Sequence, residues 1–317
     1  MPPLTEQNRS KATPSSVISF LRFPLSILIV LFHAFGLAVT LPAGVFNDHQ
    51  PLTDFIYWHI LHGAIATSAV PLFFAFSGYL YFRSRDFSLP IWREKTRKRF
   101  LRLVVPLLSW AFAAFILFLV FYLAKFPNAT ANAIFGSPHP FIWWVDSFTG
   151  IQNPMGPRLA PVAWFVRDLF VVGLLSPILW IFLRRRISAI LLLIALFVLY
   201  LVWFAPLPFL GSRALFFFSL GAAYSIHQRD FLRDARRWAL PFLLLWILDV
   251  ALLFHFADNR FAPILGHLLP CFFIPTLLTA AAYFSERFQF HPLLSSASFF
   301  IYFCHESLWI HSCPITC

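Results

Sequence analysis

Charge is what this sequence has least of. Only 12% of its 317 residues are Asp, Glu, Lys or Arg, about half the share found in a soluble globule. A water-soluble domain of this length could not cover itself with so few charges. Acidic residues are the scarcer sign, 13 against 24 basic ones. Cysteine is rare. Cys271, Cys304, Cys313 and Cys317 are spaced neither as a zinc site nor as a C-x-x-C redox pair, and no disulfide framework follows from them. No internal repeat is evident, which argues against a transporter built from duplicated halves. What is abundant is apolar. Hydrophobic residues make up 60% of the chain, aromatic ones 19%, and Phe alone occurs 42 times. That composition excludes disorder and points to a protein that crosses a membrane many times.

A bilayer-spanning helix needs roughly 20 apolar residues. Nine runs approach that length: 17–39, 64–82, 102–123, 162–183, 187–205, 210–226, 238–256, 264–284 and 297–312. The first follows a polar stretch, Met1 to Ser16. It is too long for a signal-peptide core and lacks a small-residue cleavage site, so it reads as a retained first span. If the nine runs alternate across the bilayer, 19 of the 24 Lys and Arg fall on the side of the N-terminus and four on the other, with Arg167 inside a span. Such a bias places the N-terminus in the cytoplasm. The net charge of +11 is then mostly a matter of topology, and a nucleic-acid partner is not expected. The lipid bilayer is. The expected fold is an all-α, polytopic transmembrane helix bundle, a single domain over residues 1–317.

Several polar residues stand inside or beside these runs. Arg22 and His33 in the first run are eleven residues apart. Eleven helical steps return to within about 20° of the start and rise about 16.5 Å. The two side chains therefore share a stripe, Arg22 near the cytoplasmic surface and His33 past the midplane. His33 is either a hydrogen-bonded interior histidine or a general base, and its ordinary pKa near 6.5 suits proton abstraction at neutral pH. In the second run, Ser77 and Gly78 permit close helix approach. The segment 83–102 holds eight basic residues, with Lys98 and Arg102 on one helical face and Pro106 four residues beyond. These charges anchor topology or touch anionic lipid, and a subset could hold the phosphates of a nucleotide-bearing donor. Arg167 and Asp168 are either an ion pair that fixes helix packing or part of a site beside His33. His305 and Glu306 divide evenly between packing and a site. Asp249 and His255 lie on nearly opposite faces of one helix and form no common site. Asp54, His59 and His62 lack a fourth ligand, so no metal is assigned to them.

Taken in order, these pieces resemble the membrane acyltransferase-3 family. They are Arg22, ten residues, then His33; Pro71-Leu72-Phe73-Phe74 with Ser77-Gly78; Arg99-x-x-Arg102 with Pro106; Trp164-Phe165-Val166-Arg167-Asp168-Leu169; and Ser298 to Tyr302 and His305. The resemblance covers essentially the whole chain and is nearest to the branch that O-acetylates bacterial surface polysaccharides. It implies a multi-pass enzyme of the cell (inner) membrane. Such an enzyme moves an acyl group, usually acetyl, from cytosolic acyl-CoA to a hydroxyl of a cell-surface or lipid-linked glycan. Acyl-CoA is then a donor substrate, and no cofactor is permanently bound. The implied catalytic residues are His33, Arg167 and Asp168. Arg22, Lys98, Arg99 and Arg102 would meet the donor, and Tyr302, His305 and Glu306 the acceptor. Family members commonly have about ten spans, so this chain reads as shortened at its C-terminus. A transporter or flippase for a lipid-linked sugar, and an inactive truncated acyltransferase, are the alternative readings.

Overall fold

The computed structural model describes residues 12–38, 66–84, 87–126, 129–142, 163–202, 210–256, 260–288 and 293–294. For 31–38, 66, 129, 130, 133 and 163 it describes the backbone only. Among the described residues the regular elements are all helical. They are α1 (Pro14–Ala38), a 3-10 turn (Ala66–Ser68), α2 (Ala69–Tyr81), α3 (Leu89–Arg99), a π turn (Phe100–Val104), α4 (Val105–Leu123) and α5 (Ala129–Phe135). After them come α6 (Ala163–Leu174), α7 (Ser176–Leu183), α8 (Arg186–Val202), α9 (Ser212–Ile226), α10 (Phe231–His255) and α11 (Ala262–Ser285). Among the described residues three continuous helices are long and apolar enough to cross a bilayer: Leu89–Leu123, Phe231–His255 and Ala262–Ser285. Three positions depart from the apolar runs read in the sequence, one of them α10, which starts at Phe231 where the seventh run starts at 238. The helix of the third run starts at Leu89 and takes in the basic segment. The fourth run is two helices, α6 and α7, bent by 59°. The ninth run, 297–312, lies outside the described residues.

A proline bends or widens the chain in each of the third and fourth runs. Pro177 has no N–H for the carbonyl of Gly173, and its ring crowds that carbonyl, so α6 ends and the chain turns at Leu175. Pro106 does the same to the carbonyl of Arg102. There the chain widens instead of breaking. The Val105 N–H bonds the Phe100 carbonyl five residues back, and the helix continues through a single π turn.

The helices form two compact units. The first comprises Met1–Leu72 and Gln228–Ile301, and the second Phe73–His227 and Tyr302–Cys317. In the first unit, α10 and α11 run antiparallel. Val250, Leu253 and Leu269 form a buried cluster flanked by Trp246, Ala262 and Leu265. Trp246 also packs on Phe273, and the Thr276 hydroxyl donates to the Ala239 carbonyl at 3.2 Å. Asp230 caps α10 by accepting from the N–H groups of Leu232 and Arg233. The start of α1 meets the end of α11, where the Ala12 N–H donates to Glu286 at 3.1 Å.

In the second unit, α2 and α9 touch backbone to backbone. A Cβ on Gly78 would lie 2.0 Å from the Phe218 carbonyl oxygen, and one on Gly221 would lie 1.9 Å from that of Ala75. Small residues allow this approach where lipid gives no hydrophobic drive between helices. The short helix α5 packs Ala131 and Ile134 on Phe118 of α4. The outer faces are apolar. On α8 the exposed residues Ile187, Ile190, Leu191, Ile194, Val198 and Val202 form one helical stripe, a surface suited to hydrocarbon and not to water.

Two expectations follow. Gly78→Ala or Gly221→Ala should each cost about 1–3 kcal/mol or more through backbone overlap, read as a lowered thermal midpoint of the protein in detergent micelles. Glu286 gives a pH-dependent one. The Ala12 N–H, and then Arg236, hold its carboxyl below the usual glutamate range. Its contribution is therefore present above the unfolded pKa and lost as pH falls through the lower folded value. Glu286→Gln should lower the thermal midpoint at neutral pH, and the difference from wild type should close as the medium is acidified.

Candidate functional site

The polar residues of the second unit gather around the end of α2 and the basic face of α3. Ser77 and Tyr81 are one turn apart on α2. Both meet Arg99. The Arg99 Nη2 donates to the Ser77 hydroxyl at 2.8 Å, and its guanidinium carbon sits 4.5 Å from the centre of the Tyr81 ring. Nη1 donates to the main-chain carbonyl of Leu169 on α6 at 2.9 Å. Inside a helix that carbonyl is normally screened by the side chain four residues on. Here that residue is Gly173, and a Cβ there would lie 2.8 Å from Arg99 Nη1. Glycine leaves the carbonyl open to the guanidinium. The Phe218 ring closes the arrangement, 5.6 Å from the guanidinium carbon.

Lys95 lies one turn before Arg99 on the same face of α3. Its Nζ is 4.9 Å from the centre of the same Tyr81 ring. It donates to the Tyr81 carbonyl and to the Ser84 hydroxyl. The other edge of Tyr81 faces the bend, where Ser176 donates to its phenolic oxygen at 2.9 Å, with both residues buried. Tyr81 thus joins α2, the basic face of α3 and the first turn of α7. Among the described residues neither Lys95 nor Arg99 makes an ion pair. Glu94, the neighbouring carboxylate on α3, is bonded to Lys98 on the exposed face.

Arg167 and Asp168 form a buried ion pair on α6. Asp168 Oδ1 accepts from Arg167 Nε at 3.0 Å and from Nη2 at 2.9 Å. Asp168 Oδ2 accepts from the Gly211 N–H at 2.9 Å, at the first turn of α9. A Cβ on Gly211 would stand 2.9 Å from that oxygen. The carboxylate therefore ties α6 to the start of α9 and lies against the positive end of that helix dipole.

Of the residues read as donor-binding, Arg99 turns inward, while Lys98 and Arg102 are exposed. The π turn adds a residue to the helical repeat between Arg99 and Arg102 and so takes Arg102 off the Arg99 face. Arg22 is exposed on α1 in the first unit. His33 lies further along the same unbroken helix, with its side chain outside the described residues. Tyr302, His305 and Glu306 lie outside the described residues altogether. So do Asp54, His59 and His62. Among the described residues no group of three His, Cys, Asp or Glu stands close enough to hold a metal.

Three features of this arrangement were not read in the sequence. Lys95 was one of eight basic residues with nothing to single it out. Tyr81 follows Ser77 by one turn, and that spacing is the signal that could have marked it. In the first unit, Asp249 is buried on α10, and among the described residues neither carboxyl oxygen has a hydrogen-bond partner; nor has the Trp246 ring N–H one turn earlier.

Breaking the Arg167–Asp168 pair from one side should be costly. Arg167→Met leaves a buried carboxylate without its cation, at about 3–5 kcal/mol. The double variant Arg167→Met/Asp168→Asn keeps an acceptor for the Gly211 N–H and removes both charges. Thermal unfolding should show it recovering most of the loss.

The sequence model of the acyltransferase-3 family, described as an acyltransferase domain, matches residues 17–311. That match contains the helix from Arg22 to His33, the basic face of α3 and the Arg167–Asp168 pair. No curated protein and no solved structure matches the chain. The match runs over nearly the full length, and the chain belongs to the acyltransferase-3 family.

Proposed function

We propose that the protein is a multi-pass enzyme of the cell (inner) membrane, with its N-terminus in the cytoplasm. It transfers an acyl group, acetyl in the simplest case, from cytosolic acyl-CoA to a hydroxyl of a cell-surface or lipid-linked glycan. The observation that carries this reading is the family match across residues 17–311. The excess of Lys and Arg on the N-terminal side supports the orientation. The donor's phosphates then approach from the side of Arg22 and the basic end of α3, where Lys98 and Arg102 are exposed.

The chemistry runs along α1. That helix is continuous from Arg22 to His33 in spite of Pro24, so the two positions are separated by about 16.5 Å of helical rise. A pantetheine arm is long enough to span such an offset. His33 takes the proton of the acceptor hydroxyl as its oxygen attacks the thioester carbonyl. The tetrahedral intermediate carries its negative charge on the former carbonyl oxygen, which a hydrogen-bond donor or cation has to stabilise. Collapse breaks the C–S bond. The thiolate leaves with CoA and takes a proton equivalent to the one held by His33, and the new ester stays with the glycan. Tyr302, His305 and Glu306 hold the acceptor.

The test compares three strains: one lacking the gene, the same strain carrying this chain, and one carrying His33→Ala, with membrane levels matched by blot. O-acetyl ester in surface glycans is measured by NMR before and after mild alkali. This chain should restore alkali-labile acetyl, and His33→Ala should lower it by at least about 100-fold. Full restoration by His33→Ala would remove the mechanism. Restored glycan export with no change in ester content would point to a transporter.

A further inference from the structure

We propose that Asp249 and Trp246 of α10, with the Gly266 carbonyl of α11, form a binding site for neighbouring hydroxyl groups of the acceptor sugar. The proposal rests on the acyltransferase reading for the sugar's role as acceptor. The site itself lies wholly within the first unit.

Asp249 is 2% exposed. Among the described residues neither of its oxygens has a hydrogen-bond partner, and neither has the Trp246 ring N–H. Buried polar groups left in this state are costly, and an apolar residue at 249 would carry no such cost. Three residues apart on a helix, the two side chains share a flank. That flank meets α11, where the Trp246 and Phe273 ring centres are 5.4 Å apart. The two helices run antiparallel. One turn on from Trp246 to Asp249 is therefore matched by one turn back from Phe273 to Pro270. Pro270 is buried and has no N–H for the Gly266 carbonyl, which points along the helix toward it. A Cβ on Gly266 would meet no described atom within 4 Å. At the level of Asp249, α11 thus offers a carbonyl without its usual helical partner and open space beside it.

The set is one N–H donor among acceptors. A hydroxyl group is both donor and acceptor, and two neighbouring ones fit. The first accepts from the Trp246 N–H and donates to Asp249. The second donates to Asp249 or to the Gly266 carbonyl. The rings of Trp246 and Phe273 supply apolar surface for the C–H face of a sugar. An anion would be repelled by Asp249, and the indole N–H disfavours a cation. With the N-terminus in the cytoplasm, Asp249 is six residues, about 9 Å, from the outer end of α10. A surface glycan comes from that side. The first unit also carries α1, which packs on α11 and starts beside its end, at the Ala12–Glu286 bond. Counted from that bond, the His33 backbone rises about 31 Å along α1 and Pro270 about 24 Å along α11. The site thus lies about 7 Å short of the level of His33.

Full-length protein in phosphatidylcholine nanodiscs is given the strain's own surface glycan, freed of esters by mild alkali and fluorescently labelled. Glycan binding, the KM values for glycan and for acetyl-CoA, and the thermal midpoint without glycan are measured. Wild type is compared with Trp246→Phe and Asp249→Leu. Trp246→Phe keeps a ring against Phe273 and removes the N–H. Both variants should weaken glycan binding and raise the glycan KM by about tenfold or more, with the acetyl-CoA KM unchanged. Asp249→Leu should also raise the thermal midpoint, because it removes an unpaired buried carboxyl. A lowered midpoint in that variant means that the carboxyl is bonded within the chain, and overturns the site. Glycan binding that is absent in wild type, or unchanged in both variants, overturns it as well. A wild type that transfers no acyl group while both variants still lose glycan binding overturns the acyltransferase reading and leaves the sugar site standing.

Discussion

The second unit is organised around one cation. Arg99 comes from α3, bonds the hydroxyl of α2 and a main-chain carbonyl of α6, and lies between the rings of Tyr81 and Phe218. Three helices and a ring pair are fixed by a single planar group with donors on both arms. A guanidinium suits this place because its fork is rigid and it is less strongly hydrated than an ammonium. Other local features make sense as conditions for it. Gly173 leaves the Leu169 carbonyl open. Pro177 removes the N–H that the Gly173 carbonyl would have accepted, and bends the chain so that Ser176 reaches Tyr81. The π turn before Pro106 lets Arg99 face inward while Arg102, three residues on, stays outside.

The same unit shows how a fold is specified when its surroundings are as apolar as its interior. Leu and Phe cannot tell lipid from protein. The discriminating contacts are those that lipid cannot copy. They include the backbone contact of Gly78 and Gly221, the Asp168 link to the start of α9 and the bond of Ser176 to Tyr81. In the first unit Thr276 to Ala239 and the Ala12 link to Glu286 play this part. The apolar residues fill the remaining volume and set the thickness, and many of the largest of them point outward.

Much of the fold was legible because long apolar runs state their own secondary structure. The helices end within a few residues of the runs for α8, α9 and α11. The periodicity that put Arg22 and His33 on one stripe needs only an unbroken helix, and α1 is one across both positions. What periodicity could not show was phase. Counting at 100° per residue places Lys98 and Arg102 together and makes Arg99 their neighbour. One wide turn sets Arg102 further from the Arg99 face while Lys98 and Arg102 both stay exposed, and nothing before Pro106 announces it. Partners far apart in sequence were equally hidden. The bond from Gly211 to Asp168 spans 43 residues, and no local pattern in 163–174 distinguishes a carboxylate that caps a distant helix from one that waits for a substrate. Ser77 was read as a small packing residue beside Gly78. Gly78 alone does that work, and Ser77 is an acceptor.

The bonds of Arg99 also carry a schedule. Its partner on Ser77 lies 22 residues earlier in the chain, and its partner on Leu169 lies 70 residues later. During synthesis Ser77 and Tyr81 are already made when Arg99 leaves the ribosome, so one arm and the ring face can be satisfied at once. The other arm has to wait for α6. At about 5–20 residues per second that delay is roughly 4–14 s. Through that interval α3 and α4 sit at the membrane with a half-bonded guanidinium. The ring of Tyr81 is what makes the wait tolerable, and its place ahead of α3 in the chain is as much a requirement of assembly as of the finished protein.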